Sequence, residues 1–336
     1  MTPHDVSQHA QRILDEISTA VVGMHSSTPI ALAAILAKGH VLFEDVPGLG
    51  KTLLARTLAT TLGLDFTRLQ CTPDLLPSDI TGAALFNPAT REFETRKGPI
   101  FTGLFLADEI NRTAPKTQSA LLEAMAEQQV SIDGTTYALP APFHVVATSN
   151  PVEFEGTYSL PEAQLDRFMV RLRVGYLSPH DEATMVTRRL DRHQETAQVT
   201  PVITAEQLIA MQETLERVHI DADIVDYCVN ITHATRSHQS AEVGASPRGT
   251  QALALLGRAY AVIQGRDFVI PEDIKTIAPS VLAHRITLTP TAWATGVTQE
   301  DIVNSVLASV PTPSTTSSEL PEPSESTTQP ADSAGN

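Results

Sequence analysis

Pro47-Gly48-Leu49-Gly50-Lys51-Thr52 follows an apolar run, His40-Val41-Leu42-Phe43-Glu44-Asp45-Val46, and runs through Leu53 into a helical pattern from Lys51 to Leu62. A short apolar run before a Gly-containing loop reads as a buried strand. A loop ending in Gly-Lys-Thr that opens a helix is the phosphate-binding context: backbone N–H groups and the helix N-terminus cradle a triphosphate. Lys51 then reaches the β/γ-phosphates, and the Thr52 hydroxyl ligates Mg²⁺. The nucleotide-contacting set is Pro47, Gly48, Leu49, Gly50, Lys51, Thr52 and Leu53. The strict pattern has Gly where this chain has Asp45. Asp tolerates positive φ better than most residues, so the turn survives, but a carboxylate comes near phosphate.

Two further strand ends complete a hydrolytic set. Leu104-Phe105-Leu106-Ala107-Asp108-Glu109 is an apolar strand ending in two acids. In this order after a phosphate loop it is a Walker B strand: Asp108 holds the Mg²⁺ shared with Thr52, and Glu109 polarises the attacking water as general base. Two solvated acids at a strand end are the bland alternative. Phe143 to Asn150 is the next buried strand, and its terminal Asn150 is placed to orient that water; alternatively Asn150 only begins an Asn-Pro turn with Pro151.

Short apolar strands alternating with helices indicate an α/β fold with a parallel sheet. Helices are expected over 5–18, 27–37 and 115–129, and strands over 65–71 and 168–174, the last alternating and partly exposed. Two hairpin-like inserts interrupt the plan: Ile80 to Thr102, with Asn87-Pro88 and Gly98-Pro99 turns, and Val130 to Leu139 around Asp133-Gly134. After Leu177 the pattern is helices only. Ser178 caps one running to about Glu195, and Thr204 with Gln207 forms a capping box. Further helices run from Asp221 to Arg236 and Pro247 to Gln264, and another begins at Pro271. The expected division is residues 1–177 as α/β core, 178–310 as helical lid, and 311–336 as a disordered acidic tail with five prolines and eleven Ser/Thr.

The net charge of −16 over 336 residues leaves an acidic body, which argues against broad nucleic-acid or anionic-membrane binding. Two distant cysteines, Cys71 and Cys228, offer no metal or redox spacing and fit a reducing compartment. The first residues lack the basic and apolar regions of a signal peptide, and the longest apolar run is too short to span a bilayer, so the chain reads as cytoplasmic. The eleven histidines show no metal-ligand spacing.

The three elements in this order are identified with the AAA+ ATPases. Val21-Val22-Gly23-Met24 resembles the Val-Gly-Gln box that packs on the nucleobase, with Met24 where Gln is usual, so Val22 and Gly23 join the binding set. Asn111 to Met125, Leu160 to Phe168 and Gly244 to Arg248 resemble signatures of the MoxR family, over about residues 8 to 290. The two hairpins then correspond to that branch's helix-2 and pre-sensor-1 inserts. The resemblance implies ATP and Mg²⁺ as ligands and a homo-oligomer, a hexameric ring. It implies chaperone-like maturation or remodelling of protein complexes, with a von Willebrand factor A domain protein as partner. It makes Arg167 the arginine finger reaching a neighbour's γ-phosphate, with Arg112 and Arg171 as rivals and a structural pairing to Asp166 or Glu162 as the alternative. It makes Arg248 the sensor 2 residue, a helix-start cation lacking an evident anion. Two other readings stay open: an MCM-like nucleic-acid motor, disfavoured because the 131–137 hairpin carries Asp133 and no Lys or Arg, and an ATP-binding scaffold with little turnover, disfavoured by the intact catalytic set.

Overall fold

A computed structural model describes residues 1–151, 157–194 and 197–313. The expected disordered tail lies almost wholly outside the described residues. In chain order, helices α1 (Pro3–Ala20) and α2 (Ser27–Leu36) precede β1 (Val41–Glu44), α3 (Lys51–Thr61) and β2 (Phe66–Gln70). A short α4 (Pro77–Thr81) leads into the first hairpin, β3 (Gly82–Asn87) and β4 (Glu92–Lys97). Next come β5 (Leu104–Asp108), α5 (Pro115–Glu127), the second hairpin β6 (Gln129–Ile132) and β7 (Thr135–Ala138), and β8 (His144–Ser149). The short α6 (Glu162–Leu165) precedes β9 (Val170–Leu172).

Strands β2, β5, β8, β1 and β9, in that spatial order, form one parallel sheet. Side chains on successive strand residues point to opposite faces. Val41, Phe43, Leu104, Leu106 and Val146 therefore enter one core with α1, α2 and α3. Leu42, Phe105, Ala107, Val145 and Ala147 enter a second core with α5 and Val130 and Ile132 of the second hairpin. With both faces covered, the strands read as continuous apolar runs, which is why they were visible in the sequence. Helix α2 is apolar on all sides, and every one of its residues except Pro29 is buried.

Strand β9 departs from expectation. Val170, Arg171 and Leu172 are all buried, not partly exposed. The strand lies at the sheet edge, but Arg171 is neutralised there by Glu44 at 3.1 Å and by Glu300 at 3.0 Å. Within the alternation Arg171 sits in a buried ion pair, while Arg173, just past the strand, is exposed and meets the same two acids.

The second half is helical: α7 (Pro179–Arg192), α8 (Ala205–Leu215), α9 (Ala222–Arg236), α10 (Pro247–Ile263), α11 (Pro271–Leu282), α12 (Pro290–Ala294) and α13 (Gln299–Ser309). Ser178 caps α7, Thr204 and Gln207 form the capping box of α8, and Asp221 and Ser246 cap α9 and α10. The structure adds a small antiparallel ribbon, β10 (Ala241–Val243) with β11 (Thr287–Leu288). Helices α8 to α11 and α13 share the core of α1 to α3. No described helix is long and apolar enough to cross a membrane.

Two buried histidines sit at the base of the sheet, and one of them, His144, ties it to the helical part. His40 Nδ1 accepts the Val145 N–H at 3.0 Å, leaving Nε2 to donate to the Met125 carbonyl at 3.2 Å. His144 Nδ1 donates to the Gly39 carbonyl, and its Nε2 accepts from Gln212 of α8. Each ring is satisfied only as the neutral form. Burial drives both values from the ordinary 6.5 to about 4, with His144 adding repulsion at His40. Below pH 6.5 the unfolded chain takes up these protons while the folded chain does not, so stability is full above 6.5 and falls as pH drops toward 4. The melting temperature is expected to decline measurably between pH 7 and 5, with a shallower decline in His144→Asn; equal slopes in the two proteins would contradict the assignment.

Candidate active site

The C-terminal ends of β1, β5 and β8 meet at one edge of the sheet. Because β8 lies between β5 and β1, Asn150 emerges between the two acids and the phosphate loop. The loop turns on Gly48 (φ 85°) and Gly50 (φ 81°), and Gly50 caps α3. A Cβ at Gly50 would come within 3.1 Å of Met24 Cε, so the nucleobase-box segment lies against the loop. Gly23 (φ 77°) has no room for a Cβ, which would sit 2.3 Å from Leu177 at the entry to α7.

Asp45 is not among the residues with positive φ. Its carboxylate accepts from Val174 N at 2.8 Å and Gly175 N at 2.6 Å through one oxygen, and from Val46 N at 2.8 Å through the other. Through those N–H groups the side chain holds the segment between β9 and α7, while its charge still acts on Lys51.

Lys51 is 8 % exposed, and its Nζ donates to the carbonyls of Asp45 (2.5 Å) and Val46 (3.1 Å). Burial pulls its pKa below the ordinary lysine value, while Asp45, Asp108 and Glu109 oppose the shift. A cation held on loop carbonyls inside the loop is positioned for phosphate oxygens. Thr52 Oγ1 faces Asp108 Oδ2 at 3.4 Å. A hydroxyl and a carboxylate brought together from a helix start and a strand end are hard oxygen donors of the kind Mg²⁺ takes, with water and phosphate completing its shell. The residues fit that ion, and among the described residues no cluster of three His, Cys, Asp or Glu side chains offers a rival metal site.

Glu109 has φ 61° and ψ 52°, a left-handed conformation costly for a side-chain-bearing residue. The turn is pinned by Thr148 of β8, whose Oγ1 accepts the Glu109 N–H at 2.8 Å and donates to Asp108 Oδ1 at 2.6 Å. Asn150 is 5 % exposed, and its carbonyl accepts from Asn111 Nδ2 at 3.1 Å. Nothing local in the sequence distinguishes Thr148 from any strand threonine, and Asn111 stands out there only as the first residue of a family signature.

The arginines separate into three places. Arg112 lies at 3.2 Å from Glu109 Oε2, within its own site. Arg171 is buried in its ion pairs, which removes it as a finger. Arg167 and Arg248 lie elsewhere. Arg167 precedes β9, and Met169 N bonds to the carbonyl of His40, the residue before β1. It therefore sits at the N-terminal edge of the sheet, separated from the phosphate loop by at least the length of β1, about 13 Å for four residues. Its guanidinium donates to the Leu122 carbonyl of α5, not to Asp166. Arg248 is 64 % exposed at the start of α10, and the anion near it is Asp166, at 3.8 Å. Both arginines line an open cavity of about 340 Å³ with Lys38, His40, Gln251 and Arg285. Asp166 itself is gripped by Ser246 and by buried Arg285, whose Nε lies at 2.8 Å.

Residues 40–170 match the family described as ATPase family associated with various cellular activities (AAA), and residues 233–306 match the AAA lid domain. The chain is 50 % identical to YeaC of Bacillus subtilis, with 90 % of this chain and 94 % of that protein covered. It is 40 % identical to Chaperone MoxR1 of Mycobacterium tuberculosis, with 90 % and 82 % covered. A solved structure of an ATPase candidate from Cytophaga hutchinsonii superposes with TM-score 0.86 at 40 % identity, covering 93 % of this chain and 97 % of that one. With the strand order, the loop and the acids in register, this chain belongs to the MoxR family of AAA+ ATPases.

Proposed function

We propose that this chain hydrolyses ATP in a homo-oligomeric ring and uses the cycle for chaperone-like remodelling of protein complexes. The observation that carries the reading is the gathering of Lys51, Thr52, Asp108, Glu109 and Asn150 at one edge of the sheet while Arg167 and Arg248 stand at the other. One subunit supplies the cradle and the water-activating acid, and its own arginines there, Arg68 and Arg112, are engaged with Asp108 and Glu109. A second subunit in head-to-tail contact supplies the arginine over the γ-phosphate.

In this reading Pro47 to Leu53 and the Val22-Gly23 box hold the nucleotide, with Lys51 on the β/γ-phosphates. Thr52 and Asp108 hold Mg²⁺, which when bound neutralises charge on the β- and γ-phosphate oxygens. Glu109 accepts the proton of the attacking water, and the Asn150 amide orients that water. Arg167 and Arg248 approach from the neighbour, as a pair, because they line one cavity. Residues 1–177 act as the core and 178–310 as the lid. Kinship with proteins named MoxR and Chaperone MoxR1 supports a protein client, and family resemblance supports six subunits and a von Willebrand factor A domain partner. A nucleic-acid motor is disfavoured: Asp133, at the tip where a tracking hairpin needs cations, accepts from Ala84 N at 3.0 Å and joins the two hairpins.

Lys51→Ala should abolish binding of a fluorescent ATP analogue. Glu109→Gln should keep that affinity and lose turnover by about a hundredfold or more, the usual cost of a missing general base. Retained hydrolysis in Glu109→Gln would move the base elsewhere.

Arg167→Ala should bind ATP normally and hydrolyse it poorly, and mixing it with Lys51→Ala should restore part of the steady-state rate. Some sites in the mixed ring combine an intact Lys51 with an intact neighbouring Arg167. Subunits that exchange yet stay inactive would overturn the trans assignment and leave Arg112 to be tested.

A further inference from the structure

Two side chains of β2 hold the two Walker B acids. Arg68 Nε donates to Asp108 Oδ2 at 2.8 Å, and its Nη2 lies 2.7 Å from the same oxygen. That oxygen is the one Thr52 Oγ1 faces, so the guanidinium occupies the metal-facing side of Asp108. Arg68 Nη2 also donates to Gln70 Oε1 at 2.8 Å, and Gln70 Nε2 donates to Glu109 Oε2 at 2.9 Å. The sequence Arg68-Leu69-Gln70 thus places two polar side chains on one face of β2, and parallel pairing sets Gln70 level with Asp108. Asp108, Arg68, Gln70 and Glu109 form one connected chain of polar contacts.

We infer that Arg68 is a displaceable counter-ion for the metal site: it holds the place of Mg²⁺ on Asp108. The physical argument is competition. Asp108 Oδ1 is taken by Thr148, so an incoming cation must use Oδ2, where a guanidinium already sits. The Asp108 side chain is 11 % exposed, and an unpaired carboxylate there is costly, whereas the Arg68 side chain is 45 % exposed and is easily rehydrated once released. β2 is an edge strand, so the released side chain can swing outward. Arg68 is a positioning residue: it acts on the reaction through Asp108.

The inference rests on the nucleotide-site reading, and the test separates them. A fluorescent ADP analogue is titrated with Mg²⁺ at fixed nucleotide, using wild type, Arg68→Ala, Arg68→Lys and Gln70→Ala. Arg68→Ala should reach half-maximal Mg²⁺-dependent binding at about two- to fivefold lower Mg²⁺, the range set by a partly exposed ion pair. Arg68→Lys should fall between it and wild type. Gln70→Ala, which keeps the counter-ion, should move the midpoint little. In EDTA without nucleotide, Arg68→Ala should melt lower than wild type, and Mg²⁺ with ADP should recover a larger share of its melting temperature than it adds to wild type. An unchanged or higher Mg²⁺ midpoint in Arg68→Ala, with wild type binding normally, would overturn the inference and leave the ATPase reading intact. Absence of Mg²⁺-dependent binding in wild type would instead sink the site reading. If Arg68→Ala does not fold, the Arg68→Lys midpoint decides, and a value equal to wild type counts against competition.

Discussion

The parallel direction of the five sheet strands is the constraint on which the rest depends. In a parallel sheet every loop that leaves a strand emerges at one edge, and every segment that enters a strand arrives at the other. The phosphate loop, both acids and Asn150 leave strands; Arg167 enters one. The chain cannot bring its own Arg167 to its own phosphate without dismantling the sheet. In the proposed reading, any phosphate that Arg167 serves is therefore a neighbour's.

Two carboxylates connect that sheet to the lid. Asp45, the first residue of the phosphate loop, holds the backbone N–H groups of Val174 and Gly175 at the exit of β9 toward α7. Asp166, beside Arg167, is held by Ser246 at the start of α10 and by Arg285 after α11. Burial lowers the Arg285 pKa and the Asp166 charge opposes that effect, the pattern of a cation held inside by its partner. Removing one member of such a pair leaves the other buried and uncompensated, which typically costs about 3–5 kcal/mol. The helical part is thus tied at one edge to the phosphate loop and at the other to the segment bearing Arg167.

Much of this was legible in the sequence where chemistry and local pattern coincide. Gly48, Gly50 and Lys51 sit in a strand–loop–helix pattern, and Thr204 and Gln207 spell a capping box; each signal spans a few residues. The parallel strands were legible because burial on both faces makes them apolar throughout. What escaped notice depends on partners far along the chain. Arg171 reads as an exposed alternating position until Glu300 arrives from α13, 129 residues on. Arg248 lacked an anion in the sequence because Asp166 is 82 residues upstream. Asp45 looked like a carboxylate aimed at phosphate, and only the fold reveals the N–H groups it serves. Arg68 and Gln70 look like ordinary polar positions of a half-exposed strand until β2 is paired with β5.

The strain at Glu109 follows from the same strand geometry. Along a strand, successive side chains point to opposite faces, so consecutive acids Asp108 and Glu109 would normally diverge. In the proposed reading both serve one phosphate. The left-handed turn at Glu109 ends the strand abruptly and redirects its carboxylate toward the end of β2, where Gln70 meets it. A side chain at φ 61° is unfavourable in itself, by about 1–3 kcal/mol, and needs surrounding structure to fix it. Thr148 provides that support by accepting the Glu109 N–H while donating to Asp108. A single hydroxyl on the neighbouring strand thus fixes Asp108 and the turn that aims Glu109. Threonine suits the position because its β-branched side chain is stiff and at home in a buried strand, so the hydroxyl is already oriented when substrate arrives.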